Sequence, residues 1–67
     1  MQTYSRPWKA EIYNIAQAFH ISSITYRTII AAVDKLSTAN MPAYYNGDEN
    51  AYLYDAAYRK IKKFIFA

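Results

Sequence analysis

Apolar residues recur at helical intervals from residue 8 onward. The first set shares one face of a helix: Trp8, Ile12, Ile15, Ala16 and Phe19. Ser5 offers a capping hydroxyl, and Pro7 is tolerated in a first helical turn. Residues 20–22 interrupt the pattern. The sequence therefore predicts a first helix that starts around Ser5-Arg6-Pro7 and ends before His20.

A second apolar stripe follows the interruption, with the spacing of an amphipathic helix: Tyr26, Ile29, Ile30, Val33 and Leu36. Either Ser22 or Ser23 is expected to cap this helix at its start. Residues 37–40 and then Pro42 are expected to end it. A second amphipathic helix is therefore predicted, with its apolar face packed against the first.

The next segment, residues 42–54, has a different composition. Two tyrosine-rich runs flank the polar residues 46–50, and Asn46-Gly47 between such runs is typical of a β-hairpin. The alanines in the runs lower the β propensity, so a loop followed by the start of a helix is the alternative. Asp55 is expected to cap a last helix, whose apolar positions are Ala57, Ile61, Phe64 and Ile65. The predicted fold is mainly α with a small β-hairpin, in the order helix, helix, hairpin, helix, as one domain over residues 1–67.

Composition and charge narrow the classes of function. A chain of 67 residues with Cys 0 has a thin core and no disulfide to support it. Lys+Arg 8 against Asp+Glu 5 gives a net charge of +3, which is compatible with nucleic acid but is also common in inert domains.

Catalytic and metal chemistry are not indicated. His20 stands alone, and the arginines available to a reactive tyrosine are only Arg6, Arg27 and Arg59. We expect a protein that is not an enzyme and that has no cofactor and no metal. The chain has no apolar run of the ~20 residues that a membrane span needs, and its first eight residues lack the pattern of a secretory signal. A cytoplasmic protein with no membrane partner is expected.

Residues 12–31 have the pattern of a helix-turn-helix. Ala16 is a small residue where the two helices would cross, and Ile15, Phe19, Ile21 and Ile29 would pack the pair together. The turn position usually held by glycine, because φ is positive there, is His20. Histidine is among the few other residues enriched in that geometry.

In such a motif the second helix enters the major groove of DNA by its N-terminal part. Arg27 suits guanine O6 and N7, Ile24 suits a thymine methyl, and Ser23 and Thr28 suit phosphates or base edges. The predicted DNA-binding face consists of Ser22, Ser23, Ile24, Arg27, Thr28, Ala31 and Lys35. The alternative is the solvated polar face of a three-helix packing unit.

The second half of the chain carries three short elements: Asn40-Met41-Pro42, Tyr45-Asn46-Gly47, and Leu53-Tyr54-Asp55 within residues 50–57. With the helix-turn-helix pattern, they resemble the small phage winged helix-turn-helix proteins of the MerR-like superfamily. These include excisionases (recombination directionality factors), Cox and AlpA-type regulators, and the DNA-binding domain of lambdoid small terminase subunits. The resemblance covers about residues 12–66.

The resemblance implies sequence-specific binding of double-stranded DNA by a phage, prophage or plasmid regulator of recombination or transcription, in the cytoplasm of a bacterial host. Such a protein would act architecturally, as a homodimer or as cooperative copies. Wing and last-helix residues would add contacts: Asn46, Gly47, Asn50, Arg59, Lys60, Lys62 and Lys63. The basic cluster among them is equally consistent with a solvated helix face.

Two features depart from the family pattern. The stretch from the turn to Met41-Pro42 is about seven residues longer than usual, which predicts either a recognition helix longer by roughly 10 Å or a longer loop. Asp48 and Glu49 would place negative charge at the wing tip, facing a polyanion. The wing is therefore either structural or a contact for a protein. The second hypothesis is a protein-interaction module, such as a phage-encoded inhibitor of a host protein, that binds through its tyrosine-rich wing.

Overall fold

Three α-helices and two short 3-10 turns make up the part of the chain that this computed structural model describes, residues 7–66. The helices are α1 (Trp8–Ala18), α2 (Ser23–Asp34) and α3 (Glu49–Ile65). The 3-10 turns, Thr38–Asn40 and Ala43–Tyr45, lie between α2 and α3. Residues 7–66 contain no β-strand.

The start of α1 is held by a residue far away in the sequence. Pro7 is the N-cap, and the backbone N–H of Trp8 donates a hydrogen bond of 2.7 Å to Oδ1 of Asn50 on α3. The first N–H groups of a helix have no partner within it, so the Asn50 amide satisfies one of them. The predicted cap at Ser5, and Arg6 after it, lie outside the described residues.

The turn after α1 has the hydrogen bonds of a Schellman motif. The N–H of Ile21 donates to the carbonyl of Ala16 (2.9 Å), and that of His20 donates to the carbonyl of Gln17 (3.2 Å). His20 has φ 58, so the prediction that it takes the left-handed position of the turn is confirmed. The motif ends α1, and α2 begins two residues after it.

Glycine at position 20 is expected to stabilise the protein. A side chain with Cβ is disfavoured at φ 58, whereas glycine has no such cost, so His20→Gly should raise the free energy of unfolding by about 0.5–1 kcal/mol. Ala18→Gly, inside α1, is the matched control and should lower it by a similar amount. Urea denaturation followed by circular dichroism measures both. Equal destabilisation by the two glycines would contradict the turn geometry.

α2 begins and ends with identifiable contacts. Oγ of Ser22 accepts a hydrogen bond from the N–H of Thr25, so of the two predicted caps Ser22 is the one used. The helix ends at Asp34, whose carboxylate lies 3.1 Å from Nζ of Lys9 on α1. The extra residues before Met41 therefore form a longer loop, and the alternative of an extended recognition helix is wrong.

The predicted β-hairpin is wrong, and so is the wing that the family resemblance implied. Asn46 (φ 54) and Gly47 (φ 79) end the second 3-10 turn, and they do not join two strands. The carboxylate of Asp48 then accepts a hydrogen bond from the N–H of Ala51 (3.1 Å) and caps α3. The last helix thus starts at Glu49, and the predicted cap at Asp55 lies inside it. The alternative of a loop followed by a helix is the correct one.

The core lies where α3 packs against both α1 and α2. Its buried side chains are Trp8, Ile12, Ala16, Ile29, Val33, Ala51, Ala57 and Ile61. Three residues predicted on apolar faces, Phe19, Leu36 and Phe64, are instead exposed. The first two lie just beyond the ends of α1 and α2, and Phe64 lies in the last turn of the longest helix. The helical period predicts which positions share a face, but it contains no information on where a helix ends or how far its neighbours extend.

Candidate functional site

The face of α2 opposite the core is exposed along its whole length. The buried residues Ile29 and Val33 lie on one side of the helix. All seven residues of the predicted DNA-binding face are exposed: Ser22, Ser23, Ile24, Arg27, Thr28, Ala31 and Lys35. Ile24 is 76% exposed, so its side chain is available for contact. The structure brings these residues together on one surface that starts at the turn.

Two hydroxyls of this face already have partners within α2. Oγ of Ser22 accepts from the N–H of Thr25 and donates to Oγ1 of the same residue (2.9 Å). Oγ1 of Thr28 donates to the carbonyl of Ile24 at 3.0 Å. Ser22 is therefore primarily a helix cap, while the Thr28 oxygen keeps lone pairs that can accept a hydrogen bond.

Arg27 lies at the edge of a groove between α1 and α2. The groove has a volume of about 360 Å³ and is lined by Tyr13, Ala16, Gln17, Ile21, Ser23, Tyr26 and Arg27. The rings of Tyr13 and Tyr26 meet edge to face, 5.6 Å apart. Partial burial raises the pKa of Tyr26, whose hydroxyl lies 3.4 Å from the carbonyl of Lys9. The tyrosine pair fixes α1 against α2 next to the arginine.

The predicted basic cluster lies in the second half of α3. Arg59, Lys62 and Lys63 are exposed, and Lys60 is half-buried. Nζ of Lys62 is 5.5 Å from the centre of the Tyr58 ring, which is cation–π range. Lys62 and Lys63 are also in the last turn, where positive charge is favourable at the negative end of the helix dipole.

Opposite charges are concentrated at opposite ends of the helices. The hydrogen bond from Trp8 to Asn50 places the starts of α1 and α3 side by side. The ion pair of Lys9 with Asp34 places the end of α2 there as well, so this end carries Asp34, Asp48 and Glu49 together with Lys9 and Lys35. The start of α2 and the basic end of α3 are therefore both directed away from this acidic end.

The residues predicted on a wing are separated by the absence of a hairpin. Asn46 and Gly47 are exposed in the turn before α3. Asn50 is half-buried, and its side-chain oxygen caps α1. Sequence reasoning missed this role because the two partners are 42 residues apart, and local patterns cannot show such a contact.

Residues 7–66 contain no group of three or more histidine, cysteine or acidic side chains placed to hold a metal ion. Within the same residues, every helix is too short or too polar to cross a membrane. Comparisons with protein-family models, with curated proteins and with solved structures find no match to this chain.

Proposed function

We propose that the protein binds double-stranded DNA, with the N-terminal half of α2 in the major groove. The observation that carries the proposal is the exposed face of α2, which directly follows a tight left-handed turn and carries Arg27 with an uncovered Ile24. A helix held in this way presents its first residues to a groove, while the core fixes its opposite side. Arg27 would bind guanine O6 and N7, and Ile24 would contact a thymine methyl.

The basic end of α3 supplies the second part of the proposal. Arg59, Lys62 and Lys63 are exposed on a chain of net charge +3, and contacts from such residues to phosphates add affinity without sequence information. The start of α2 and the end of α3 are both directed away from the acidic end, and we propose that one duplex contacts both. No hairpin is needed for these contacts.

The proposed role is that of a small regulator, of recombination in the manner of an excisionase or of transcription. A single module of this kind covers only about 600–1,000 Å² of DNA-facing surface. We therefore include in the proposal that two or more copies bind neighbouring sites, as a homodimer or cooperatively, and change the shape or accessibility of the DNA.

Binding to a random-sequence duplex of about 30 bp is the test. Fluorescence anisotropy at about 50 and 200 mM salt is expected to show binding that weakens steeply with salt, because phosphate contacts release counterions. Arg27→Ala is expected to weaken it by about five- to tenfold, and to lower the salt slope by about 1 where Arg27 contacts a phosphate.

Lys9→Gln is the matched control, since it removes one positive charge at the opposite end of the molecule, beside Asp34. Its affinity for the duplex should stay close to that of the wild type. Absence of binding at about 50 mM salt would contradict the proposal. So would an Arg27→Ala variant that behaves like the Lys9 control.

A further inference from the structure

Three tyrosines form a connected aromatic surface where the second 3-10 turn meets α3. The rings of Tyr44 and Tyr45 lie 4.5 Å apart at an angle of 31°, and the edge of Tyr45 meets Tyr52 at 5.4 Å. Tyr44 keeps 71% of its surface exposed. We call these three residues the tyrosine surface. A large exposed aromatic ring next to two others forms a contiguous apolar patch. Patches of this kind mark interaction sites when they are large.

The tyrosine surface is held rigidly. The hydroxyl of Tyr45 donates a hydrogen bond of 2.6 Å to Oδ2 of Asp55 on α3, and this bond raises the pKa of Tyr45 above its ordinary value. The N–H of Asp48 donates to the carbonyl of Tyr45 (2.9 Å), which closes the turn between them. The rings are therefore positioned before any partner arrives, which lowers the entropic cost of binding.

The segment that carries the tyrosine surface is acidic although the whole chain is positive. Residues 36–58 contain Asp48, Glu49 and Asp55 and no lysine or arginine, whereas the chain carries +3. Glu49 is exposed, and Oδ2 of Asp48 is buried with no hydrogen-bond partner within the described residues. Phosphate would be repelled here, so this face is unsuited to the DNA that we place on α2.

The exposed ring of Tyr44 and the exposed carboxylate of Glu49, carried on the same segment, suit a positively charged peptide. A guanidinium or an ammonium is attracted to the face of an aromatic ring, and arginine also pairs with carboxylates through two parallel hydrogen bonds. We propose that the tyrosine surface docks an arginine- or lysine-rich segment of a partner protein. This inference does not depend on DNA binding. The tyrosine surface is at the end of the molecule where α2 finishes, whereas the proposed DNA contacts are made by the N-terminal half of α2.

A fluorescein-labelled ten-residue peptide of alternating arginine and alanine is the probe. The protein and the peptide are both positive overall, so binding requires a local negative surface and not net charge. Anisotropy is expected to show saturable binding. Tyr44→Ser and Glu49→Gln are each expected to weaken it about two- to fivefold, and a peptide of alternating glutamate and alanine should not bind.

Phe64→Ser is the matched control, because Phe64 is an exposed aromatic residue on α3 outside the tyrosine surface. Its peptide affinity should equal that of the wild type. Circular dichroism shows whether each variant is folded, and Glu49→Gln tests the proposal should Tyr44→Ser unfold. The proposal is overturned by no binding at about 1 mM protein, or by equal affinity of the wild type and both variants.

Sedimentation of the protein without peptide shows whether the tyrosine surface binds a foreign partner or a second copy of the chain. The basic half of α3 on a second copy carries Arg59, Lys60, Lys62 and Lys63, and it is the other positive segment available. A monomer that binds the arginine peptide supports a foreign partner. Self-association that Tyr44→Ser abolishes would assign the surface to a second copy and overturn the proposal. The duplex assay with Arg27→Ala tests α2 and not the tyrosine surface, so the two proposals can fail separately.

Discussion

Replacing Ile61 with alanine is expected to remove most of the stability of the protein at room temperature. Ile61 is fully buried on α3, in the cluster with Ile12 and Val33. Removing a buried isoleucine to alanine costs about 2–5 kcal/mol, because the transfer energy is lost and a cavity remains. A core of this size rarely supplies more than about 3–5 kcal/mol in total, so little stability would be left.

Two further variants on α3 make this result interpretable. Ile61→Val should cost only about 0.5–1.5 kcal/mol and leave a folded protein with a lower urea midpoint. Phe64→Ala removes a larger side chain that is 55% exposed, and it should change the free energy of unfolding by less than about 0.5 kcal/mol. Circular dichroism during urea denaturation measures all three. An Ile61→Ala protein with the wild-type midpoint would show that α3 does not pack on this residue.

Neutralising the basic half of α3 is expected to remove most of the salt dependence of DNA binding. The variant replaces four residues with glutamine: Arg59, Lys60, Lys62 and Lys63. Each phosphate contact contributes about 0.9 to the slope of log affinity against log salt, so four contacts contribute about 3.6. Between about 50 and 200 mM salt, that slope corresponds to a loss of roughly two orders of magnitude in affinity.

Anisotropy titrations over a salt series measure the slope for the wild type and for the variant. Circular dichroism must accompany them, because Lys62 and Lys63 also stabilise the last turn of α3 through the helix dipole. Arg27→Ala is the comparison within the same site, with an expected change in slope of about 1 at most. Unchanged slopes in the four-residue variant would mean that the cluster is a solvated helix face.

The turn and the two helices around it could be predicted from local signals. The apolar spacing that contains Ile12, Ile29 and Val33 identified α1 and α2, and those residues are buried. The sequence predicts a positive φ at His20 and a helix cap at Ser22 or Ser23. The structure confirms the first and shows that Ser22 is the cap. Each of these features depends on residues within four positions of one another, which is the range over which sequence patterns are informative.

The region between α2 and α3 was predicted wrongly for a physical reason. Asn46-Gly47 was interpreted as a hairpin turn, but two consecutive left-handed residues also end a 3-10 turn. Asp48 is a good helix cap, and Ala51, Ala57 and Ile61 continue from it on one buried face. The aromatic runs favoured strands by propensity, yet α1 and α2 need a long third helix to cover them, and that tertiary requirement overrode the propensity.

The candidate site was predictable only in part. The polar side of α2 follows from its apolar side, so Arg27 and Ile24 could be placed on an exposed face from the sequence. The cap that Asn50 provides to α1 and the contact of Tyr45 with Tyr52 depend on how distant segments meet. Neither has a local signature in the sequence.

The contact of Asn50 with Trp8 also has a consequence for how the protein is made. α3 is synthesised after α1 and α2, yet it supplies both the cap of α1 and the surface that α1 and α2 cover. A nascent chain that ends before residue 50 therefore has no means of burying Ile12 or Val33. Stable packing of α1 and α2 therefore requires α3 to be synthesised first, so the α2 face takes its final orientation only once α3 is available to pack against it.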